Sequence, residues 1–335
     1  MNSHISYCAE DNSNGFGGLA PVACPLCRST GTRLLEEISA SQLSDSYRHV
    51  YRYSPSNNEF ADTCSIDYRR CGQCDLRFFH PPVAGTESLY DALRIQMGDR
   101  YYMQEKPEYE IARHWIGAGQ AVLDVGCGVG AFAAAIPEGR YTGLELNSRA
   151  VAEAKLLGRE VFKETIEEHS AKRRGQYDVV CSFQVLEHVS DVRGFLAGCC
   201  AALKTGGLLI TCVPSFDSYL SFQANALLNL PPHHLSHWSD LCLRQIGEIF
   251  PVRLEAIEHE LLADVHLGSY TTTLVLTAFR GRRRLLDTSL ATSLLTGVSS
   301  RLGKVLSGAL QADSMRPRGH SVVASHRKVA ESVDI

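Results

Sequence analysis

From residue 120 onward, short runs of apolar and β-branched residues alternate with stretches whose apolar positions recur at helical spacing. The runs at 121–125, 140–145, 160–163, 177–183 and 208–213 are too short for helices and apolar enough to be buried on both faces, so strands are expected there. Strands separated by helical stretches run parallel, with helices covering both faces of the sheet. A helix at 239–250 and strands near 254–259 and 321–326 bring the expected strand count to seven. The expected fold class is therefore α/β, a doubly wound sheet. Between the last two strands, 281–310 reads as a helical insertion. Leu286, Leu290, Leu294, Val298, Leu302, Leu306 and Leu310 recur every four residues, with Leu295 and Val305 beside them, giving one apolar stripe that needs a partner.

The N-terminal third lacks this alternation. Residues 1–20 hold too little apolar content to order themselves and read as a flexible tail. Residues 21–85 are rich in Cys, Ser, Tyr and Arg without helical period, as expected of a small independent module; 86–119 supply lead-in helices, and 120–335 form the main domain. A chain of 335 residues with 44% apolar content can bury one large core plus such an appendage. The net charge of −4 gives no basic excess, which counts against a nucleic-acid partner. No apolar run approaches the roughly 18 residues of a membrane span, and the first residues are polar rather than leader-like, so a cytoplasmic location is expected.

Twelve cysteines change this picture only where they are organised. Cys127, Cys181 and Cys212 sit singly in apolar runs, where a thiol behaves as a small hydrophobe. Cys24-Pro25-Leu26-Cys27 and Cys71-Gly72-Gln73-Cys74 are two CxxC knuckles, and two such turns present four thiolates tetrahedrally to one zinc ion. The 43 residues between them exceed the usual spacing of roughly 15 to 20, so an insertion must loop out while the knuckles meet. Four cysteine ligands leave no open coordination position, which makes the expected zinc structural; a redox pair is the alternative, although a redox CxxC normally occurs once.

Val122-Leu123-Asp124-Val125-Gly126-Cys127-Gly128-Val129-Gly130 places a strand directly before a glycine loop, so that backbone can approach a nucleotide-like ligand without Cβ obstruction. A carboxylate, Glu145, ends the next strand. Gly126, Gly128 and Ala131 also satisfy a dinucleotide pattern, and this loop alone does not separate NAD from S-adenosylmethionine.

Two later segments separate them. Phe183-Gln184-Val185-Leu186-Glu187-His188-Val189, then Leu203-Lys204-Thr205-Gly206-Gly207-Leu208, together with the glycine loop, resemble three ordered motifs of class I methyltransferases over roughly 121–213. The resemblance implies a Rossmann-like seven-stranded methyltransferase sheet and an S-adenosyl-L-methionine cofactor. It implies that Asp124, Gly126, Cys127, Gly128 and Gly130 hold the methionine end and that Glu145, followed by Leu146, accepts from the ribose hydroxyls. The adenine falls near Thr165 and Ile166, and Phe183 and Gln184 line the methionine side.

Methyl transfer needs an in-line nucleophile and, where an acceptor hydroxyl must lose a proton, a base, for which histidine suits neutral pH. His188 follows the fourth strand, and Pro231-Pro232-His233-His234-Leu235-Ser236-His237-Trp238 adds three more histidines. The expected catalytic residues are His188, Glu187, His234 and His237. Leu186-Glu187-His188-Val189 with a downstream His-Trp is similar to ubiquinone-type O-methyltransferases. It also resembles the Glu-His plus distant His set by which small-RNA 2′-O-methyltransferases bind a divalent ion, with Gln184 where those carry a further carboxylate. Cys71 to Pro82, followed by Tyr101-Tyr102, resembles zinc-ribbon-bearing methyltransferases of sugar, polysaccharide and secondary-metabolite pathways. The resemblance implies a small-molecule, glycan-like or carrier-linked acceptor and O-methylation. An RNA methyltransferase using the zinc ribbon to bind substrate, a sugar C-methyltransferase and an inactive zinc-dependent scaffold are the competing readings. Gly297, Gly303 and Gly308 weaken an isolated helix at 281–310, so packing over the active site or against another subunit is expected there. Arg282, Arg283, Arg284, Arg301 and Lys304 leave peripheral membrane contact as the alternative.

Overall fold

The computed structural model describes residues 21–55, 59–98, 106–136, 139–281, 284–307 and 316–330; the tail 1–20, Tyr101, Tyr102, Arg282, Arg283 and Leu310 lie outside them. The N-terminal part begins with β1 (Thr32–Ser39), α1 (Ala40–Tyr51), β2 (Ser65–Cys71) and β3 (Arg77–His80). Ser39 starts α1 by accepting from the backbone N–H of Gln42, which satisfies one of the helix's orphan donors. Two helices, α2 (Glu87–Met97) and α3 (Pro107–Arg113), lead into the sheet, and Pro107 at the first position of α3 has its φ already set for a helix.

The sheet then forms from β4 (Ala121–Val125), β5 (Arg140–Leu144), α4 (Ser148–Leu156), β6 (Val161–Phe162), α5 (Ile166–Lys172), β7 (Tyr177–Phe183), α6 (Val192–Ala202) and β8 (Leu203–Pro214). After the short β9 (Ser236–His237) come α7 (Asp240–Ile249), β10 (Val252–Leu261), α8 (Asp264–Arg280), α9 (Leu290–Ser307) and β11 (Arg318–Lys328). The seven-stranded order is β10-β11-β8-β7-β4-β5-β6, with β11 antiparallel to both its neighbours and β8 through β6 parallel. Chain order reverses between β7 and β4, which opens a crevice at their C-terminal ends. Alternate residues serve opposite layers. Leu123, Val125 and Val180 pack with Phe195 and Leu196 of α6 and Ile246 of α7. Val122, Val179 and Cys181 pack with Phe132 and with Ala112 of α3. These strands are buried on both faces, as their largely apolar runs require.

The seven strands stand where expected, with β6 cut to two residues. The cysteine-rich part is not an independent module. Strand β9, from the main domain, pairs antiparallel with β3 and completes a four-stranded sheet β1-β2-β3-β9. Leu26, Cys71, Cys74, Leu76 and Phe78 share one core with Trp238, Leu243 and Ile246.

Two corrections concern the insertion. The helix α8 is unanticipated, since Thr271-Thr272-Thr273-Leu274-Val275-Leu276-Thr277 carries β-branched residues that favour strands. Within the helix the threonine hydroxyls are satisfied on the preceding turn: Thr271 Oγ1 donates to the Leu267 carbonyl at 2.8 Å and Thr277 Oγ1 to that of Thr273 at 2.8 Å. The leucine stripe of α9 does not pack over the domain either. The helix turns Thr292, Ser299 and Gly303 inward, and its main contact is α8; a Cβ on Gly303 would lie 2.8 Å from the Thr272 backbone nitrogen.

Candidate active site

The glycine loop joins β4 to the short 3-10 turn Ala131–Ala135. Gly126, Gly128 and Gly130 take φ of 75°, 56° and 75°, a region L side chains avoid. At Gly126 a Cβ would also meet Val185 Cγ2 at 2.4 Å. The N–H groups of Gly126 and Cys127 both donate to the Leu144 carbonyl, at 2.8 and 3.0 Å, which pins the loop to the end of β5. Glu145 organises the other side of the crevice. Its carboxylate accepts from the N–H of Gly128 at 2.9 Å and from those of Leu146 and Asn147 at 2.7 Å each. Leu146 itself is largely exposed.

The remaining expected cofactor residues fall in three places. Asp124 is buried beneath the loop, accepts from the Tyr141 hydroxyl at 2.9 Å and is pushed up to about 7 by burial. Cys127 is buried, its Sγ crowding the side of Gly143. Thr165 caps α5 in a capping box with Glu168, and the Ile166 side chain is buried against Gly198 of α6. Any ligand contact of Ile166 is thus left to its backbone, because its side chain fills the core. Phe183 packs edge-on against Tyr109 and near Phe132, a trio of rings under the crevice. Gln184 sits at φ 57°, and its side-chain amide donates to Ser321 Oγ at 3.2 Å; strained backbone of this kind concentrates at functional positions.

Beside this crevice the chain builds a buried acid and histidine cluster. The 3-10 turn Leu186–His188 follows β7, and the Leu235 N–H donates to the Glu187 carbonyl at 2.7 Å, drawing the 231–238 segment onto it. His188 Nδ1 lies 2.5 Å from the His233 carbonyl oxygen and His233 Nδ1 lies 2.9 Å from that of Leu228. A carbonyl only accepts, so both imidazoles carry their proton on Nδ1 and a lone pair on Nε2. His188 Nε2 faces Glu187 Oε1 at 3.8 Å and His234 Nε2 faces it at 4.0 Å, too far for hydrogen bonds. Among the described residues, neither Glu187 oxygen nor His234 Nδ1 has a hydrogen-bond partner. Burial pushes the Glu187 carboxyl up to about 8 and the His188 imidazole down to about 4, so both are neutral at pH 7. Burial and then the nearby His188 push His233 well down; burial and then the nearby His233 and His188 do the same to His234.

His237 does not join this cluster. Its Nδ1 is bonded to the Tyr68 hydroxyl at 2.9 Å, its Nε2 to the Asn229 carbonyl at 2.7 Å, and its ring stacks on Phe216 at 4.5 Å. Both nitrogens are committed to the seam between β9 and the cysteine-rich part, so His237 is structural. Tyr90 is a site residue that sequence reasoning missed. Arg94 to Glu153 at 2.8 Å and the Ser148 N–H to Glu87 at 3.1 Å fasten α2 to α4, which sets the Tyr90 ring against His188 and His233 at 6.0 and 5.9 Å. Nothing in the local pattern around Tyr90 signals this.

Among the described residues two groups have the donor chemistry for a metal. The Sγ atoms of Cys24, Cys27, Cys71 and Cys74 lie within 4.8 Å of one another, with Cys24 to Cys74 and Cys27 to Cys71 at 3.5 Å. Tetrahedral Zn–S bonds of about 2.3 Å put sulfurs about 3.8 Å apart, so the four thiols fit a zinc ion. His188, His233 and His234 also bring ligand nitrogens within 4.8 Å.

Residues 99–250 match the family model of a methyltransferase domain. Over 97 residues the chain is 42% identical to a ubiquinone biosynthesis O-methyltransferase of Escherichia coli O7:K1, a stretch covering 27% of this chain and 40% of that one. The corresponding enzyme of Shigella boydii serotype 18 gives the same identity and coverage. The chain thus spans 40% of the length of these curated relatives. Among solved structures, a SAM dependent methyltransferase from Archaeoglobus fulgidus is 16% identical with a TM-score of 0.46, covering 72% of this chain and 99% of its own. The geranyl diphosphate C-methyltransferase from Streptomyces coelicolor A3(2) is 13% identical with a TM-score of 0.43, covering 73% and 85%.

Proposed function

We infer, from a class I methyltransferase domain in residues 99–250, that this protein transfers the methyl group of S-adenosylmethionine to an oxygen of a small, glycan-like or carrier-linked acceptor. The observation that carries the oxygen acceptor is the lone pair of His188 Nε2, held in the open by the Nδ1 contact to His233 and set beside the buried Glu187. When bound, S-adenosylmethionine supplies a methyl group on a sulfonium, a strong electrophile that asks only for an aligned nucleophile. The glycine loop offers bare backbone to it and Glu145 offers the remaining lone pairs of a preoriented carboxylate. His188 Nε2 would take the proton that an acceptor hydroxyl loses when it is methylated. Burial makes His188 a weak base at rest, with the Glu187 carboxyl, held neutral by its own burial, 3.8 Å from Nε2. The histidine shed of its proton to solvent is ready for another cycle.

The four cysteines are proposed to hold a structural zinc that fixes the seam behind the 231–238 segment. Their closed thiolate set supplies no open position for chemistry. The deciding experiment gives labelled S-adenosylmethionine to fractionated small molecules and glycans and follows the label. In parallel, calorimetry compares S-adenosylmethionine affinity in the natural chain and Glu145→Ala. Label on an O-methyl group and loss of affinity in the variant support this reading; label on carbon or nitrogen, or unchanged affinity, refutes it.

A further inference from the structure

The α8 and α9 hairpin presents an apolar face that nothing among the described residues covers. Leu290, Leu294, Val298, Leu302 and Val305 are between 45% and 83% exposed and recur every three or four residues, which places them on one side of α9. The opposite side carries Thr292, Ser299 and Gly303, and these small residues let α9 lie close on α8. The usual arrangement of an amphipathic helix is thus inverted, with small polar groups inward and large aliphatics outward. Sustaining that exposure without a partner disfavours the free state, because each aliphatic side chain withdrawn from water contributes roughly 1.5–3 kcal/mol.

The charges decide what the partner is. Among residues 290–307 the only charged side chains are Arg301 and Lys304, both exposed, and they follow Val298 at successive three-residue steps along the flank of the stripe. Arg280 ends α8, and the sequence joining the two helices adds Arg282, Arg283 and Arg284, the last paired with Glu36 at 3.3 Å, with Asp287 as its one carboxylate, in a chain whose net charge is −4. Asp287 is itself occupied in accepting from the Thr292 hydroxyl and the Ser289 N–H. A second copy of this face would bring basic edge against basic edge with no acid on α9 to compensate. An anionic surface with an apolar interior satisfies both halves of the pattern, and α9 is neither long nor apolar enough to cross it.

We propose that this face of α9 seats the protein on an anionic lipid surface, with the leucine stripe in the headgroup boundary and Arg301 and Lys304 on the lipid phosphates. The hairpin is anchored for this duty at its base. Leu285 and Leu286 tuck against Phe60, Leu227 and Leu230, and the Leu285 N–H donates to Glu36 at 2.8 Å. Leu230 directly precedes the segment that carries His233 and His234, so the base of the hairpin is tied to the loop that builds the histidine cluster.

The test is flotation of the full chain with vesicles of phosphatidylcholine alone or mixed with phosphatidylglycerol, at low and high salt, alongside light scattering for mass. Binding is expected only with phosphatidylglycerol, and the double substitution Arg301→Gln, Lys304→Gln should lower partitioning roughly 30-fold at low salt. Leu294→Asp should abolish it, with calorimetric S-adenosylmethionine affinity unchanged as evidence of an intact fold. Absence of binding to the mixed vesicles overturns the proposal. So does equal binding to both vesicle types. A dimer that Leu294→Asp converts to monomer also overturns it, since the face would then be a subunit interface.

Discussion

The His188 imidazole is oriented by the main chain of His233: Nδ1 donates to that carbonyl at 2.5 Å, and the whole basicity of the ring is left on Nε2. The residue that positions the ring lies in a different loop from the ring itself, so the site exists only when the 231–238 segment is docked on the turn after β7. Asparagine can reproduce the Nδ1 donor without supplying Nε2. His188→Asn is therefore expected to keep the melting temperature within about 2 °C while lowering kcat by roughly 10²- to 10⁴-fold, the usual worth of a general base. S-adenosylmethionine affinity by calorimetry should stay within about twofold. A variant that retains more than a tenth of the activity would remove His188 from proton transfer.

Glu187 makes a second prediction, through pH. Its carboxyl is raised to about 8 by burial, against an ordinary value near 4.3. A folded-state value above the unfolded one gives stability that is complete below the unfolded pKa and is lost as pH rises through the folded pKa. The window is therefore about pH 4 to 8. Glu187→Gln removes the ionisation and keeps the shape. The variant should match the natural chain near pH 4 and exceed it by roughly 5 kcal/mol, about 10 °C, at pH 9. Thermal scans across that range check it, and a difference independent of pH would show that ionisation of Glu187 is not what burial opposes.

A third prediction follows from the position of the four cysteines. Cys71 and Cys74 belong to the same core as Trp238 and Leu243, so losing an ion held between them loosens the main domain as well as the strands beside it. Metal analysis should find one zinc per chain, and Cys71→Ser should lose it. Calorimetric unfolding should then show a single transition lowered by about 10 °C or more. Two separate transitions, with the upper one unmoved, would mean that the cysteine-rich part folds on its own after all.

Why some of this was legible in the sequence and some was not has physical causes that individual residues illustrate. The strands 121–125 and 177–183 announce themselves because Leu123 and Val179 are wanted by opposite layers, so both alternating sets of positions are mostly apolar, with Asp124, Asp178 and Ser182 the exceptions. Glu187 and His188 are legible because an acid and a histidine stand just after such a strand. His237 looks equivalent to His234 in sequence, yet β9 turns it toward Tyr68 while its neighbour faces Glu187. That difference is a strand pairing with β3, and pairing partners remote in sequence leave no local mark. The same holds for Tyr90, which reaches the site because contacts remote in sequence, Arg94 with Glu153 and Ser148 with Glu87, fasten α2 to α4. The stripe on α9 was visible, but periodicity gives a helix its faces without saying which one meets the protein.

The last prediction separates two reasons for the glycine at 126. Its φ of 75° costs any other residue about 1–2 kcal/mol, and a Cβ would in addition stand 2.4 Å from Val185 Cγ2. Real Cβ atoms do not approach a methyl group so closely, so either the loop or Val185 must move. Movement of the loop would pull the Gly126 and Cys127 N–H groups from Leu144, and with them the surface that faces the cofactor. Gly126→Ala should therefore lower stability by about 2–4 kcal/mol and abolish S-adenosylmethionine binding. Val185→Ala deletes the obstructing methyl groups but leaves φ unchanged. In the double variant the two effects should not add, the coupling being about 1–2 kcal/mol in favour of the pair, with part of the cofactor affinity restored. Urea unfolding of the four members of the cycle measures this. Strict additivity would assign the whole requirement for glycine to φ, and Val185 would then be an ordinary neighbour rather than the wall that sets how near the loop can lie to β7.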